Sequence, residues 1–369
     1  MARIVLAGGG TAGHTSPLIA TAQRLTELDP GADLLVIGTP KGLENTVIPA
    51  AGLRLELVEP VPLPRRPNKD LFTLPVRLGR SVRAAKKILT DHRADVLVGF
   101  GGYVSVPAYL AARSLKVPIV VHEGNSVPGI ANKLGARFTT DVVITFPGTP
   151  LRHAQHLGLP LRRTITDAAG LDAGARAAVR AEARAEYGLH PDLPLLLVSG
   201  GSQGARSINT AVSAAATEGL LAGGIQVLHV LGAKNFTEQH VRIEDPSGAV
   251  YQPVPYVDAM ERAYLAADLM VGRSGAGTVV ETAVIGLPTI LVPLPHGNGE
   301  QGRNAAPLVD AGGARLVDDA DCTPELLGRL VPELINDPQT LARMRAAGQG
   351  LMPADADLRL AEMVLAAVR

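Results

Sequence analysis

Four glycine-rich segments stand where an apolar run gives way to a helical pattern: Gly8–Gly13, Gly99–Gly102, Gly200–Gly204 and Gly272–Gly277. Glycine lets the backbone take positive φ and approach a ligand closely. The helix that follows offers free N–H groups and a partial positive charge, a seat for phosphate. One such loop alone reads equally as an ordinary tight turn. Four, at matching places in two halves of the chain, point to a ligand held in a cleft between domains. In the third loop, GGSQGAR, the Ser202 hydroxyl and neighbouring amides could hold a diphosphate. Glu281 falls about one turn into the helix after SGAGTVV, where a carboxylate can take both hydroxyls of a ribose. Standing alone, it reads first as a solvated helix residue, ahead of a ribose ligand.

Two other nucleotide chemistries are disfavoured. Gly8-x-Gly10-x-x-Gly13 matches the dinucleotide fingerprint, which also needs an acidic residue at the end of the second strand. That strand ends Val36-Ile37-Gly38-Thr39, without a carboxylate, so a dehydrogenase is not expected. No G-x-x-x-x-G-K-[ST] segment occurs, which argues against a P-loop nucleotidase. Asp318-Asp319-Ala320-Asp321 is rich in carboxylates but precedes a helix start at Thr323 and reads as a solvated turn. No metal cluster is expected.

The elements that must position these loops are short and apolar. Runs at Arg3–Ala7, Asp33–Ile37, Asp95–Val98, Ile119–Val121, Val142–Thr145, Leu195–Val198, Ile225–Val230, Leu269–Val271 and Thr289–Val292 do not alternate with polar residues. That is the pattern of strands buried on both faces of a parallel sheet. Helical stretches at Pro17–Leu28, Val76–Asp91 and Ala205–Thr217 lie between them, giving an α/β fold. The halves resemble each other: IVLAGGGTAGHTSPL at Ile4–Leu18 parallels LLLVSGGSQGARSIN at Leu195–Asn209. Two related Rossmann-like domains follow. Their boundary is expected between Pro160 and Leu193, a stretch without strand character.

Composition narrows the classes further. The 369 residues carry 35 basic and 35 acidic side chains, so no global charge draws the chain to nucleic acid. Aromatics at 3% leave little to stack on bases. A single cysteine, Cys322, excludes an intramolecular disulfide framework and suits a reducing compartment. The start Met-Ala-Arg-Ile-Val-Leu-Ala lacks signal-peptide character and no stretch is long enough to span a bilayer, so a soluble or peripheral cytoplasmic protein is expected.

Seven motifs together resemble the MurG family of UDP-N-acetylglucosamine transferases of peptidoglycan synthesis. They are GGGTAGH (Gly8–His14), GFGGYVSVP (Gly99–Pro107), HEGNSVPGIANK (His122–Lys133), GGSQGAR (Gly200–Arg206), PYVDAM (Pro255–Met260), RSGAGTVVE (Arg273–Glu281) and EQGRNA (Glu300–Ala305), in family order along nearly the whole chain. The resemblance implies an α/β fold of GT-B type, two Rossmann-like domains with parallel sheets facing a central cleft. Residues 1–162 would form the acceptor and membrane-facing domain and 163–350 the donor-binding domain. Residues 351–369 would be a C-terminal helix that could return to the first domain.

The resemblance also implies roles. Ser202 and Arg162 would contact the diphosphate and sugar side of UDP-N-acetylglucosamine, the Val257 backbone would read uracil, and Glu281 would hold the ribose. Asn125, Gln301 and the Ala276, Gly277 and Thr278 loop would position the sugar. Thr11, Ala12 and Gly13 would line the cleft, and Tyr103 and Ser105 would lie on the acceptor side. Two segments depart from the family pattern: Gly158-Leu159-Pro160-Leu161-Arg162 replaces Gly-Asn-Pro-Val-Arg, and Gly299-Glu300-Gln301 stands where Asn-His-Gln is usual.

The implied reaction moves N-acetylglucosamine to the C4 hydroxyl of an undecaprenyl-linked muramyl-pentapeptide with inversion, converting lipid I to lipid II. An imidazole can take a proton near neutral pH, so His14 is the candidate base and Glu123 the alternative. A helix N-terminus can stabilise the leaving diphosphate, so no obligatory cofactor or cation is expected. Between residues 62 and 93, nine basic residues face only Asp70 and Asp91. Arg65, Arg66, Lys69, Leu71, Phe72, Leu74, Arg77, Leu78 and Arg80 read as a docking segment for the anionic inner membrane surface. That places the chain peripherally on the cytoplasmic face of the cell membrane, with cell-wall synthesis proteins as further partners. Two other readings keep the fold: UDP-sugar 2-epimerisation, and a nucleotide-sugar-binding scaffold without catalysis.

Overall fold

The uninterrupted Val, Ile and Leu runs form the interiors of two separate parallel sheets. The computed structural model describes residues 1–62, 70–201, 203–296 and 298–368, with 70–72 as helix backbone. The chain divides into two units, Met1–Arg162 with Pro353–Arg369, and Arg163–Met352.

The first unit runs β1 (Arg3–Gly8), α1 (Ala12–Leu28), β2 (Asp33–Gly38), α2 (Glu44–Ala50), β3 (Arg54–Leu57) and α3 (Asp70–Asp91). It continues β4 (Val96–Gly101), α4 (Ser105–Leu115), β5 (Ile119–Glu123), α5 (Ile130–Gly135), β6 (Val142–Ile144) and β7 (Ala154–His156). The sheet order is β3-β2-β1-β4-β5-β6-β7, with every pairing parallel.

The second unit holds α6 (Arg163–Ala169), α7 (Ala173–Glu186), β8 (Leu195–Ser199), α8 (Arg206–Ala215), β9 (Gln226–Val230), β10 (Ile243–Glu244) and β11 (Val250–Val254). There follow α9 (Met260–Ala266), β12 (Leu269–Gly272), α10 (Ala276–Ile285), β13 (Thr289–Leu291), α11 (Glu300–Asp310), β14 (Ala314–Leu316), α12 (Pro324–Ile335) and α13 (Pro338–Gly348). Its order is β10-β11-β9-β8-β12-β13-β14, parallel except where β10 meets β11. The last helix, α14 (Ala356–Ala367), belongs to the first unit.

Alternating residues of β1 enter two cores. Val5 and Ala7 meet α3 and α4 through Ala85, Leu89, Ala108 and Ala112. Ile4 and Leu6 meet α1 and α14 through Leu18, Leu25, Leu360 and Val364. An ion pair of Arg24 with Asp357, 2.6 Å, ties α1 to α14. Both sheets reverse their strand order beside a first strand, between β1 and β4 and between β8 and β12. Ligands of open α/β sheets bind at the carboxyl ends of such switch points. All four glycine loops leave these ends.

Candidate active site

In the first unit the glycine loop after β1 turns at Gly10, φ 89°, and enters α1 at Thr11. His14 lies in the first turn of that helix. Its Nδ1 stands 2.9 Å from the Gly9 carbonyl oxygen and 3.3 Å from Thr11 Oγ1. A carbonyl can only accept, so Nδ1 carries a proton, and in the neutral ring Nε2 then keeps the lone pair. Nε2 has no partner among the described residues. It faces the second glycine loop, where a Cβ on Gly101 would lie 3.2 Å away. Gly102 is tighter still, since a Cβ there would come 2.7 Å from the Gly9 oxygen. Thr11 and Gly13 are exposed beside His14, and Ala12 is half-buried.

Glu44 is a residue that the sequence reading missed. Fully buried at the start of α2, it accepts from Gly10 N at 2.8 Å, Thr39 N at 2.8 Å and Thr39 Oγ1 at 2.6 Å. Burial works against its charge, but the hydrogen bonds from Thr39 and Gly10 prevail and hold its pKa below the usual carboxylate range. It stands five residues after Thr39, beyond the end of β2, where no strand pattern marks it.

Glu123, the alternative base, ends β5 with 3% of its surface exposed. Its oxygens accept from Asn125 N at 3.0 Å, Gly129 N at 2.9 Å and Asn132 Nδ2 at 2.9 Å. Burial raises its pKa, and these donors and the nearby His14 pull the other way. The carboxylate is spent on the loop that carries Asn125, so it anchors that loop rather than reaching an acceptor hydroxyl. Ser105 needs a correction. It is fully buried and donates to Gly101 O at 2.7 Å and Ala7 O at 3.2 Å, so its hydroxyl braces the backbone and cannot face an acceptor. Tyr103 is 49% exposed beside it. Arg162 ends the first unit with a buried Nε that has no partner among the described residues.

In the second unit the loop after β8 makes two left-handed turns, at Gly201, φ 84°, and Gly204, φ 70°. Gly204 N donates to Gly201 O at 2.8 Å, and α8 starts directly after Ala205. Ser202 lies outside the described residues. Ala276, Gly277 and Thr278 form the first turn of α10, whose N-cap is Gly275. Glu281 follows on the next turn and accepts from Tyr264 OH at 2.8 Å, which fixes its carboxylate against α9. Val257 is buried between β11 and α9, and its N–H and C=O have no protein partner among the described residues. Gln301, in the first turn of α11, accepts from Leu294 N at 2.9 Å through Oε1.

Asp318 and Asp321 are exposed, as a solvated turn requires, but Asp319 departs from that expectation. Its carboxylate pairs with the buried Arg273 at 2.5 Å and accepts from Ser207 Oγ at 2.6 Å, tying the third and fourth glycine loops to one ion pair. No metal-binding group of His, Cys, Asp and Glu occurs among the described residues.

The basic segment also needs revision. Helix α3 starts at Asp70, six residues before the expected Val76. Leu78 and Val82 pack on the core with Ala85 and Leu89, so Leu78 is not a docking residue. The outward face carries exposed Arg80, Arg83, Lys86 and Lys87, with half-buried Leu74 and Arg77 and the 58% exposed Val76 near its start. Arg65, Arg66 and Lys69 lie outside the described residues, as do the side chains of Leu71 and Phe72. Among the described residues no helix is long and apolar enough to cross a membrane.

The model of the glycosyltransferase family 28 N-terminal domain matches residues 4–144, and that of the family 28 C-terminal domain matches residues 195–358. A protein of Cutibacterium acnes, named UDP-N-acetylglucosamine--N-acetylmuramyl-(pentapeptide) pyrophosphoryl-undecaprenol N-acetylglucosamine transferase, is 58% identical, covering 100% of this chain and 98% of its own. A protein of the same name from a Nocardioides species is 55% identical, with 98% and 97% covered. The crystal structure of Acinetobacter baumannii MurG matches with a TM-score of 0.76 at 25% identity, covering 98% of this chain and 99% of that one.

Proposed function

The chain belongs to the MurG family of family 28 glycosyltransferases, and from that footing we propose how its residues perform the transfer. It is a two-domain α/β enzyme of GT-B type, an N-acetylglucosaminyltransferase of peptidoglycan synthesis. Its donor is UDP-N-acetylglucosamine and its acceptor the undecaprenyl-pyrophosphoryl N-acetylmuramyl-pentapeptide.

His14 is the general base. The observation that carries this reading is its hydrogen bond to the Gly9 carbonyl, which leaves Nε2 free to accept. Nε2 takes the proton of the acceptor's C4 hydroxyl while that oxygen bonds to the anomeric carbon. The bond to the diphosphate breaks on the opposite face, and its electrons leave with UDP. Inversion follows from this single displacement. On the donor side, Glu281 receives the ribose, the free Val257 backbone the uracil edge, and the first turns of α8 and α10 the diphosphate charge. Gln301, Asn125 and Arg162 attend the sugar and phosphates. No divalent cation is obligatory, because the helix termini supply the electrostatic stabilisation. The exposed basic face of α3 docks on anionic lipid, which brings the enzyme to its lipid-linked acceptor on the cytoplasmic face of the membrane.

Labelled UDP-N-acetylglucosamine and a short-chain lipid acceptor test the reading. Label is expected in the lipid, and isomerisation or bare binding would refute it. In the same assay His14→Ala is expected to lower kcat by about 10²–10⁴-fold with little change in donor KM. An unchanged kcat would remove the base role.

A further inference from the structure

We propose that Glu44 is a positioning residue for proton transfer, acting on His14 through the single peptide group that joins Gly9 to Gly10. The inference rests on the reading of His14 as base. The N–H of this peptide, on Gly10, donates to Glu44 Oε2 at 2.8 Å. Its C=O, on Gly9, lies 2.9 Å from His14 Nδ1. One amide thus links a buried carboxylate to the imidazole. Drawing on the N–H polarises the amide and makes its oxygen a stronger acceptor, and hydrogen bonds in such a chain reinforce one another. The carboxylate favours the Nδ1–H tautomer and stabilises the imidazolium formed when Nε2 takes the acceptor's proton. No proton moves along the chain: Nδ1 keeps its hydrogen throughout.

The cage around Glu44 supports a built device. A Cβ would come 2.2 Å from its carboxylate at Gly9, 1.9 Å at Gly42, and 2.7 Å from its Cγ at Gly38. Three glycines therefore make room for one carboxylate. No basic side chain pairs with it among the described residues, so its negative charge is left to act through the Gly10 amide. The other titratable groups near His14 come from β5, where His122 and Glu123 lie within electrostatic reach. From β4, Gly101 faces Nε2 without a charge, and α14 meets α1 at Arg24 with Asp357, in the distal half of that helix.

In Glu44→Gln the amide oxygen can serve Thr39, which leaves an NH2 group opposed to the Gly10 N–H. Imidazole ¹⁵N resonances of the whole enzyme, with those of His14 identified by their loss in His14→Gln, read the tautomer directly. The wild type is expected to hold Nδ1–H, and Glu44→Gln to shift population to Nε2–H. In kinetics, the acid limb of kcat is expected to move to lower pH and kcat to fall about tenfold, with donor KM nearly unchanged. Thr39→Val disturbs the same cage but keeps the carboxylate on Gly10, so tautomer and limb are expected to stay. A folded Glu44→Gln with wild-type tautomer and limb would overturn the proposal, as would Thr39→Val shifting both equally. Should Glu44→Gln not fold, an Nε2–H tautomer in the wild type would overturn it. Retention of kcat by His14→Gln would instead refute the base reading and leave the tautomer to judge the Glu44 link.

Discussion

Replacing Glu123 with glutamine separates an anchor from a base. Three donors converge on the carboxylate at 2.9–3.0 Å, in a site with 3% exposure. A glutamine oxygen placed at the Oε2 position keeps Gly129 N and Asn132 Nδ2. Its NH2 then faces the Asn125 N–H, and two buried donors oppose each other. Leaving a buried donor unmet costs about 1–3 kcal/mol, so the first unit is expected to lose about that much stability. The effect is local, on the loop that carries Asn125. Hydrogen exchange followed by mass spectrometry should show the Asn125 amide losing protection, while β1 and β4 keep theirs. Donor KM should rise and kcat fall by less than about tenfold, whereas loss of a general base typically costs about 10²–10⁴-fold. A variant of wild-type stability and loop protection, but with kcat down by more than about 10²-fold, would refute the anchor argument and restore Glu123 as base.

Other outcomes follow from buried charge and from the basic face. His122 is held down to about 4 and His229 to about 3, chiefly by burial. The unfolded chain therefore binds protons first, and stability present above about pH 6.5 is lost as pH falls toward those values. Each unit should lose stability in urea titrations as pH falls below about 6.5, a slope that His122→Asn and His229→Asn flatten in their own unit; a pH-independent wild type would contradict this. Arg273→Met strands Asp319 in a partly buried site and should cost the second unit about 3–5 kcal/mol in thermal unfolding, whereas a loss below about 1 kcal/mol would mean the pair is solvated. Arg80→Glu with Arg83→Glu should weaken flotation with anionic liposomes about tenfold or more, and equal binding would sink the docking face. Activity should survive a chelator; loss restored by magnesium would show a required cation.

Legibility followed burial. The nine apolar runs read from the sequence are nine of the ten interior strands among the described residues. The exception, β11, carries Gln252 and Pro253, which break the apolar run although it sits inside its sheet. The edge strands β3, β7, β10 and β14 are short and largely uncovered, so they lack the signal that marked the others. Glycine loops could be read because backbone geometry restricts which residue fits. Glu44, Ser105 and Asp319 could not, because their roles depend on partners distant in sequence: Glu44 on Gly10, Ser105 on Ala7, Asp319 on Ser207 and Arg273. Arg184 is similar. Within a charged helix it reads as solvated, yet it is 1% exposed and donates to Ala266 O, Pro191 O, Leu193 O and Asp268.

The return of α14 to the first unit has a consequence for biosynthesis. Domains usually close in the order in which they leave the ribosome. Here the second unit, Arg163–Met352, is a continuous stretch and can finish its core while translation continues. The unit that starts first must wait, because Leu360, Ala361 and Val364 complete the layer over Ile4 and Leu6. The nascent N-terminal part therefore keeps an uncovered apolar face until those late residues emerge. A premature stop within α14 would spare the second unit and damage the unit that carries His14.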